Sequence, residues 1–321
     1  MIVLSRNFLF SLKVTLALNS SIRCFRSSAM AKSKFEYVKS FEDDKKCLPN
    51  CWIVVRIDGR SFTRFAQAHK FEKPNDKKAL ELMSRAASKV MEDLKEISIA
   101  FGASDEYSFV FRKDAQLYSR RRDKIVSTVN SLFTSSYVYF WSDFFGSAKL
   151  LYPPVFDARV VLFPTDLNLR DYLSWRQADV HVNNLYNTTF WSLVQKANYT
   201  PQRAEERLKN TLAGQKNEIL FKEFNINYNN EPQMFRKGTT LVRKLVPTPP
   251  DNKLKQFIIP QTVDIIGEEF WKENPEIIGM KSIQIYNQSS DEVGGYMVNN
   301  KIPSSKQEND DSSKPPTAIQ G

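Results

Sequence analysis

Three observations predict an α+β fold with the order β-α-β-β-α-β. Four short runs are rich in β-branched and aromatic residues, two amphipathic stretches separate the outer runs from the inner pair, and a tight turn joins that pair. The first run, Trp52–Asp58, lies between Pro49-Asn50 and Gly59 and reads as a buried central strand. Pro74-Asn75-Asp76 is a helix start signal, and Leu80, Met83, Ala87, Val90, Met91 and Leu94 then fall on one helical face. Ile97–Phe101 and Asp105–Phe111 form a hairpin around Gly102-Ala103-Ser104, with Tyr107, Phe109 and Phe111 on one face. A second helix is expected from about Tyr118 to Tyr139, with Ile125, Val129, Leu132 and Phe133 inward, and Arg159–Phe163 is the fourth strand. This is the split βαβ order of the ferredoxin-like fold, two helices over one sheet face burying a single core. Beyond it, 165–300 reads as helices (Leu167–Asp179, Asn183–Gln195, Pro201–Leu212) and then irregular, Asn-rich chain, a helical C-terminal extension.

Composition sets the outer limits. The chain has 321 residues, 41% hydrophobic and 26% charged, which suits a globular enzyme rather than a disordered chain. A net charge of +10 points to polyanionic partners. Two His and three Cys exclude a Cys/His zinc module and a disulfide scaffold, so Cys47 and Cys51 read as reduced thiols. No apolar run is long enough to span a membrane. Residues 1–29 hold Arg6, Lys13, Arg23 and Arg26, no acid and many Ser, the composition of an amphipathic mitochondrial presequence. The other reading is an untranslated extension with Met30 as the start and a cytoplasmic product. The expected division is a presequence at 1–29, a catalytic domain at 30–165, a part that meets a macromolecule at 166–300, and a solvated tail at 301–321.

The carboxylates carry the chemistry. Asp58 ends the first strand and Asp105-Glu106 opens the third, and in this topology those two strands are adjacent. Three acids on one small patch repel one another unless a cation neutralises them, and hard divalent ions prefer carboxylate oxygen. Two such ions suit an in-line phosphoryl displacement. Gly59 lets the backbone approach a metal or phosphate. Each dipeptide by itself is an ordinary turn; their meeting at the ends of neighbouring strands is what points to a site. Arg121 and Lys124, three apart at the start of the second helix, read either as a grip on a triphosphate or as a solvated basic turn. Lys73 is open in the same way, and His181 reads as a packing residue or a substrate contact. Trp175 and Trp191 read as core, and His69 as a residue with no role in a site.

Together these stretches resemble the tRNA(His) guanylyltransferase family, the reverse-direction (3′–5′) nucleotide-adding enzymes. The segments that carry the resemblance include Met-Ala-Lys-Ser-Lys-Phe-Glu-Tyr-Val (30–38), Val-Arg-Ile-Asp-Gly-Arg (55–60), Phe-Glu-Lys-Pro-Asn-Asp (71–76) and Gly-Ala-Ser-Asp-Glu-Tyr-Ser-Phe-Val-Phe (102–111). The run from Asp171 to Thr188, then Lys-Asn-Glu-Ile-Leu-Phe (216–221), 224–232 and Arg-Lys-Gly-Thr (236–239), extend it over about 30–275. The resemblance implies a palm-type polymerase core, two Mg²⁺ ions, and ATP and GTP as substrates. It implies ATP-dependent activation of the tRNA 5′ phosphate, attack by the GTP 3′-hydroxyl and removal of pyrophosphate, giving tRNA(His) with an added guanosine at position −1. It also suggests a homotetramer.

Carried over by position, Asp58 and Asp105 fall on the metal-binding carboxylates, Gly59 on a metal-ligand carbonyl, and Glu106 on an acid needed for activity. Asp58, Gly59, Arg60, Ser61, Phe62 and Thr63, with Ser104 and Asp105, fall where the family holds GTP. Ala66, Asp76, Arg121 and Lys124 fall on further nucleotide contacts; Lys73 and Asn75 on the activation region; and His181, Asn183 and Lys216 on segments tied to tRNA. One departure stands out. The family usually has His where this chain has Thr63, and a hydroxyl neither becomes cationic nor stacks. The rival readings are template-directed repair of tRNA 5′ ends, a palm-type nucleotide cyclase, and a non-catalytic RNA-binding module. The last shares the strand order but requires no acidic cluster, which would repel RNA.

Overall fold

The computed structural model describes residues 33–279, 285 and 294–298; the expected presequence at 1–29 and tail at 301–321 lie outside them. Of the described residues, 33–43 belong to a separate unit and contain a 3-10 turn, Glu36–Phe41. The second unit starts at Asp44.

Strand β1, Trp52–Gly59, alternates as a pleated strand must: Ile53, Val55 and Ile57 enter one core, Trp52 and Val54 another. A short helix absent from the sequence reading, α1 (Phe62–Ala68), follows it. Helix α2, Lys77–Asp93, starts where expected because the Asp76 carboxylate accepts from the Ala79 amide. Its stripe of Leu82, Met83, Ala86, Val90 and Met91 is buried. Strands β2 (Ile97–Ala103) and β3 (Glu106–Phe111) form the hairpin, leaving Asp105 in its turn. Helix α3 runs Arg122–Tyr139, starting later than expected because Tyr118, Ser119 and Arg120 hold positive φ in a preceding 3-10 turn. After α4 (Trp141–Phe145) comes β4, Phe156–Phe163.

These strands lie in the order β4-β1-β3-β2, each pair antiparallel, as the ferredoxin-like reading requires. The chain beyond β4 departs from expectation in three ways. The two helices expected between Leu167 and Gln195 are one, α5 (Asp166–Lys196), placing His181 in its interior rather than at a start. It is followed by α6 (Pro201–Leu208), α7 (Ala213–Phe224) and α8 (Gln233–Lys237). The segment expected to be irregular instead adds β5 (Thr239–Thr248) and β6 (Lys253–Gln261) to the sheet beside β2. Beyond them, α9 (Glu268–Glu273) precedes β7 (Tyr296–Met297), which pairs with β6.

Charge and proline hide β5 and β6 in the sequence. Arg243 and Lys244 sit inside β5, and Pro247 and Pro260 sit within the paired register. Tertiary partners make the charges tolerable. The Arg243 guanidinium donates to the carbonyls of Ile97, Leu94 and Met91, and Lys244 pairs with buried Glu276 at 2.7 Å.

The single core expected is divided into two large clusters, one on each sheet face, and two small ones around Leu185 and Leu193 in the second half of α5. Helices α2 and α3 cover one sheet face with an aromatic-rich core around Phe65, Phe109, Phe133 and Tyr137. The first half of α5, with Phe270 and Trp271, covers the other. No described helix is long and apolar enough to cross a membrane.

Candidate active site

Pairing places Asp58 opposite Glu106 on one side and Asp157 on the other. The β2–β3 turn then brings Asp105 beside the end of β1, where the Gly59 amide donates to the Asp105 carbonyl at 3.1 Å. A Cβ at Gly59 would lie 2.8 Å from the Asp105 Oδ2 and 2.5 Å from the Phe62 ring, so a glycine is what permits this approach. Ser104, at φ +55°, makes the turn that presents Asp105. Burial pushes the Asp105 carboxyl above the usual carboxylate range, and the neighbouring Asp58 carboxylate adds to that.

Glu106 has a different neighbourhood. Its Oε2 lies 2.5 Å from Arg56 and 3.2 Å from Arg176, and Arg56 also reaches Asp58 at 3.3 Å. Burial raises its carboxyl, while the two guanidiniums pull against that. Glu106 is thus held by two cations of the chain itself and Asp58 shares one of them, while among the described residues Asp105 has no ion pair. Among the described residues, no three His, Cys, Asp or Glu side chains are grouped to hold a metal ion. Asp58 and Asp105 offer two carboxylates, and the remaining donors there are backbone.

A cavity of about 300 Å³ opens on these acids. Ser104, Asp105 and Glu106 form one wall, Met83 and Ser84 of α2 another, and Arg176, Asp179, Asn183 and Asn184 of α5 face them. Asn75 also lines it, donating to Asn184 at 2.8 Å, and Asn184 donates to Tyr228 at 3.0 Å. That chain ties the loop before α2 to α5 and to the Asn-rich segment, and Asn227 itself accepts from the Asn229 amide.

The remaining candidate residues are dispersed. Thr63 is exposed and Ala66 partly buried on α1, while Arg60 and Ser61 are exposed at its start. Asp76 uses both carboxylate oxygens on the amides of Glu72 and Ala79. The Lys73 ammonium lies 5.8 Å from the Trp191 ring centre. His181 is exposed, its ring 5.4 Å from Tyr228, and the Lys216 ammonium donates to the Thr211 carbonyl. Arg121 and Lys124 do not join the acids. Arg120 beside them donates to Leu48 and Cys51, just before β1, whereas Asp58 closes β1, about 20 Å further along the strand.

Sequence reasoning missed Arg56, Arg176, Asp179 and Asn184. A cation two residues before Asp58, in an otherwise apolar strand, was the available signal for Arg56. Trp175, expected in the core, is 56% exposed. His69 does have a place: it accepts from the Leu151 amide at Nε2 while Nδ1 bonds the Phe65 carbonyl. Cys47 and Cys51 are free thiols, as expected.

A ferredoxin-like sheet that brings two carboxylates together where β1 meets the β2–β3 turn, beside a cavity of about 300 Å³, suits metal-assisted phosphoryl or nucleotidyl transfer. Residues 35–164 match the family model described as tRNAHis guanylyltransferase, and 167–314 match the Thg1 C-terminal domain. A protein of Bos taurus described as "Probable tRNA(His) guanylyltransferase" is 54% identical over 273 residues, 80% of this chain and 92% of that protein. A crystal structure of the tRNA(His) guanylyltransferase from Saccharomyces cerevisiae is 48% identical, covers 65% of this chain and 93% of that one, and superposes with a TM-score of 0.63. A bacterial tRNA(His) guanylyltransferase-like protein in complex with ATP shares the fold at 19% identity, over 78% of this chain and all of that one, with a TM-score of 0.62. The chain belongs to the tRNAHis guanylyltransferase family and is a nucleotidyltransferase.

Proposed function

We propose that this chain adds a guanosine to the 5′ end of tRNA(His), with ATP activating the 5′ phosphate and GTP supplying the nucleotide. The observation that carries the reading is the meeting of Asp58 and Asp105 beside a cavity of about 300 Å³, in a chain of this family. A relative of the same fold that binds ATP supports a nucleotide site here.

The donor set fits Mg²⁺. Asp105 is a carboxylate whose charge is disfavoured where it stands, next to a second carboxylate, and among the described residues no cation is bonded to it. Asp58, Asp105 and the Gly59 carbonyl are hard oxygen donors of the kind that ion takes. When bound, Mg²⁺ lowers the pKa of a coordinated hydroxyl and offsets charge on phosphate oxygens. Glu106 is assigned to holding Arg56 and Arg176 rather than to metal. Ser104 and, on the facing helix, Asn183 line the cavity beside the acids and are assigned to the nucleotide and the tRNA end. Ser61, Phe62 and Thr63 follow Gly59 outside that lining and keep only the role the family resemblance gives them. With Thr63 in place of the usual His, any hold at that position comes from a hydroxyl hydrogen bond. The homotetramer, and a compartment set by whether translation starts at Met1 or Met30, belong to the same proposal.

The test uses 5′-monophosphorylated tRNA(His), ATP, Mg²⁺ and labelled GTP, with a non-His tRNA alongside. ATP-dependent label on the 5′ end of tRNA(His) alone is the expected result. Label on 5′-truncated tRNAs regardless of identity would assign the chain to repair, and no label on any tRNA would overturn the proposal.

A further inference from the structure

Of the chain's five tryptophans, Trp52, Trp141 and Trp271 are at most 5% exposed, while Trp175 is 56% exposed. Its ring is not idle on the side that faces the protein. The Arg176 guanidinium carbon lies 3.4 Å from the ring centre, and the Tyr172 ring packs edge-on at 6.3 Å. Arg176 is itself buried and bonded to Glu106, which is bonded to Arg56, which reaches Asp58. An indole is thus held rigid by one cationic contact, open to solvent, and joined through three side chains to the acids. A cation against one face of an aromatic ring, with base stacking available on the rest, is the construction used to hold unpaired bases.

We propose that Trp175 is a stacking platform for a nucleobase of the tRNA, the one that carries the reacting 5′ phosphate. This rests on the function assigned above. The base belongs to the tRNA rather than to GTP because of where Trp175 stands. Arg176 lines the cavity beside the acids and Trp175 does not, which sets the Trp175 ring outside the space assigned to the incoming nucleotide. What Trp175 meets must arrive from solvent while its phosphate approaches Asp58, and the end of an RNA stem, which exposes the flat face of its last base, does both. The same face of the sheet carries Arg159, paired in register with Arg56; its side chain is 54% exposed and ion-paired with the equally open Asp157 at 2.9 Å, a surface pair that an adjoining phosphate can displace.

The experiment compares Trp175→Ala and Trp175→Phe with the wild-type full chain, measuring KM separately for tRNA(His), GTP and ATP. Trp175→Ala is expected to raise KM for tRNA about fivefold to a hundredfold with KM for GTP unchanged, and Trp175→Phe to restore most of it. A rise in KM for GTP instead would give the base to the incoming nucleotide, and a fall in kcat alone would make Trp175 only a brace for Arg176; either result overturns the proposal. Tryptophan fluorescence with tRNA alone gives an answer independent of turnover. Quenching by tRNA(His) should be strong in the wild type and largely lost in Trp175→Phe. If the wild type transfers no guanosine, the assigned function fails while the quenching still decides the platform: equal quenching in both proteins removes it.

Discussion

Arg120 and Arg176 are each 6% exposed, at opposite ends of the same sheet, and they differ in what they touch. Arg120 donates only to backbone carbonyls, those of Cys47, Leu48, Cys51, Lys113 and Ala115. Arg176 meets the side-chain carboxylates of Glu106 and Asp179, its Nε has no hydrogen-bond partner among the described residues, and it lines the cavity. Carbonyl partners are neutral and fixed, so Arg120 stitches loops to the start of β1 and has nothing left to offer a ligand. Carboxylate partners at a cavity form a charge balance that an incoming phosphate or cation alters. Burial alone therefore does not separate a structural arginine from a functional one; the partner set does.

The largest test of that contrast is at the acids. Asp105→Asn should lower guanosine transfer at least about 1,000-fold, roughly 4 kcal/mol of barrier. Stability should hold or rise, because burial already disfavours the charge that Asn removes. A variant that turns over near the wild-type rate would remove Asp105 from the site. At the far end, Arg120→Met should cost about 3 kcal/mol of stability in urea titration, since five carbonyls lose their donor, with activity per folded molecule unchanged. Lost activity without lost stability would break the comparison.

Arg176→Met should do the reverse. We expect kcat to fall about tenfold to a hundredfold (~1–3 kcal/mol), with a smaller loss of stability because Glu106 keeps Arg56. A variant with normal kcat would make Arg176 as structural as Arg120. The smallest effect is at Asp76, whose carboxylate caps α2; Asp76→Ala should cost about 1 kcal/mol by thermal unfolding. A large rise in KM for a nucleotide beyond that loss would give Asp76 the contact that the family resemblance assigns it.

The catalytic half was legible because its signals are local. Alternation in Trp52–Asp58, the turn before Asp105 and the cap at Asp76 each act over a few residues, and together they fix which strands are neighbours. Strand ends then meet whatever else the chain does, so Asp58 and Asp105 were brought together by topology alone.

The second half was less legible. Arg243 and Lys244 read as solvated charges, and only the carbonyls of β2's lead-in and the Glu276 carboxylate turn them into strand interior. Trp175 reads as core by type, and only its position on α5 leaves it exposed. Sequence by itself thus determined the β-α-β-β-α-β order up to β4, the acids and the family of this chain. Tertiary structure decided which arginines face carboxylates, which tryptophan faces water, and that Arg121 and Lys124 stand away from the acids. The reason is range: turns, caps and alternation are set by neighbours in the chain, whereas the partner of a long charged side chain is set by residues up to 152 positions distant, as between Arg243 and Met91.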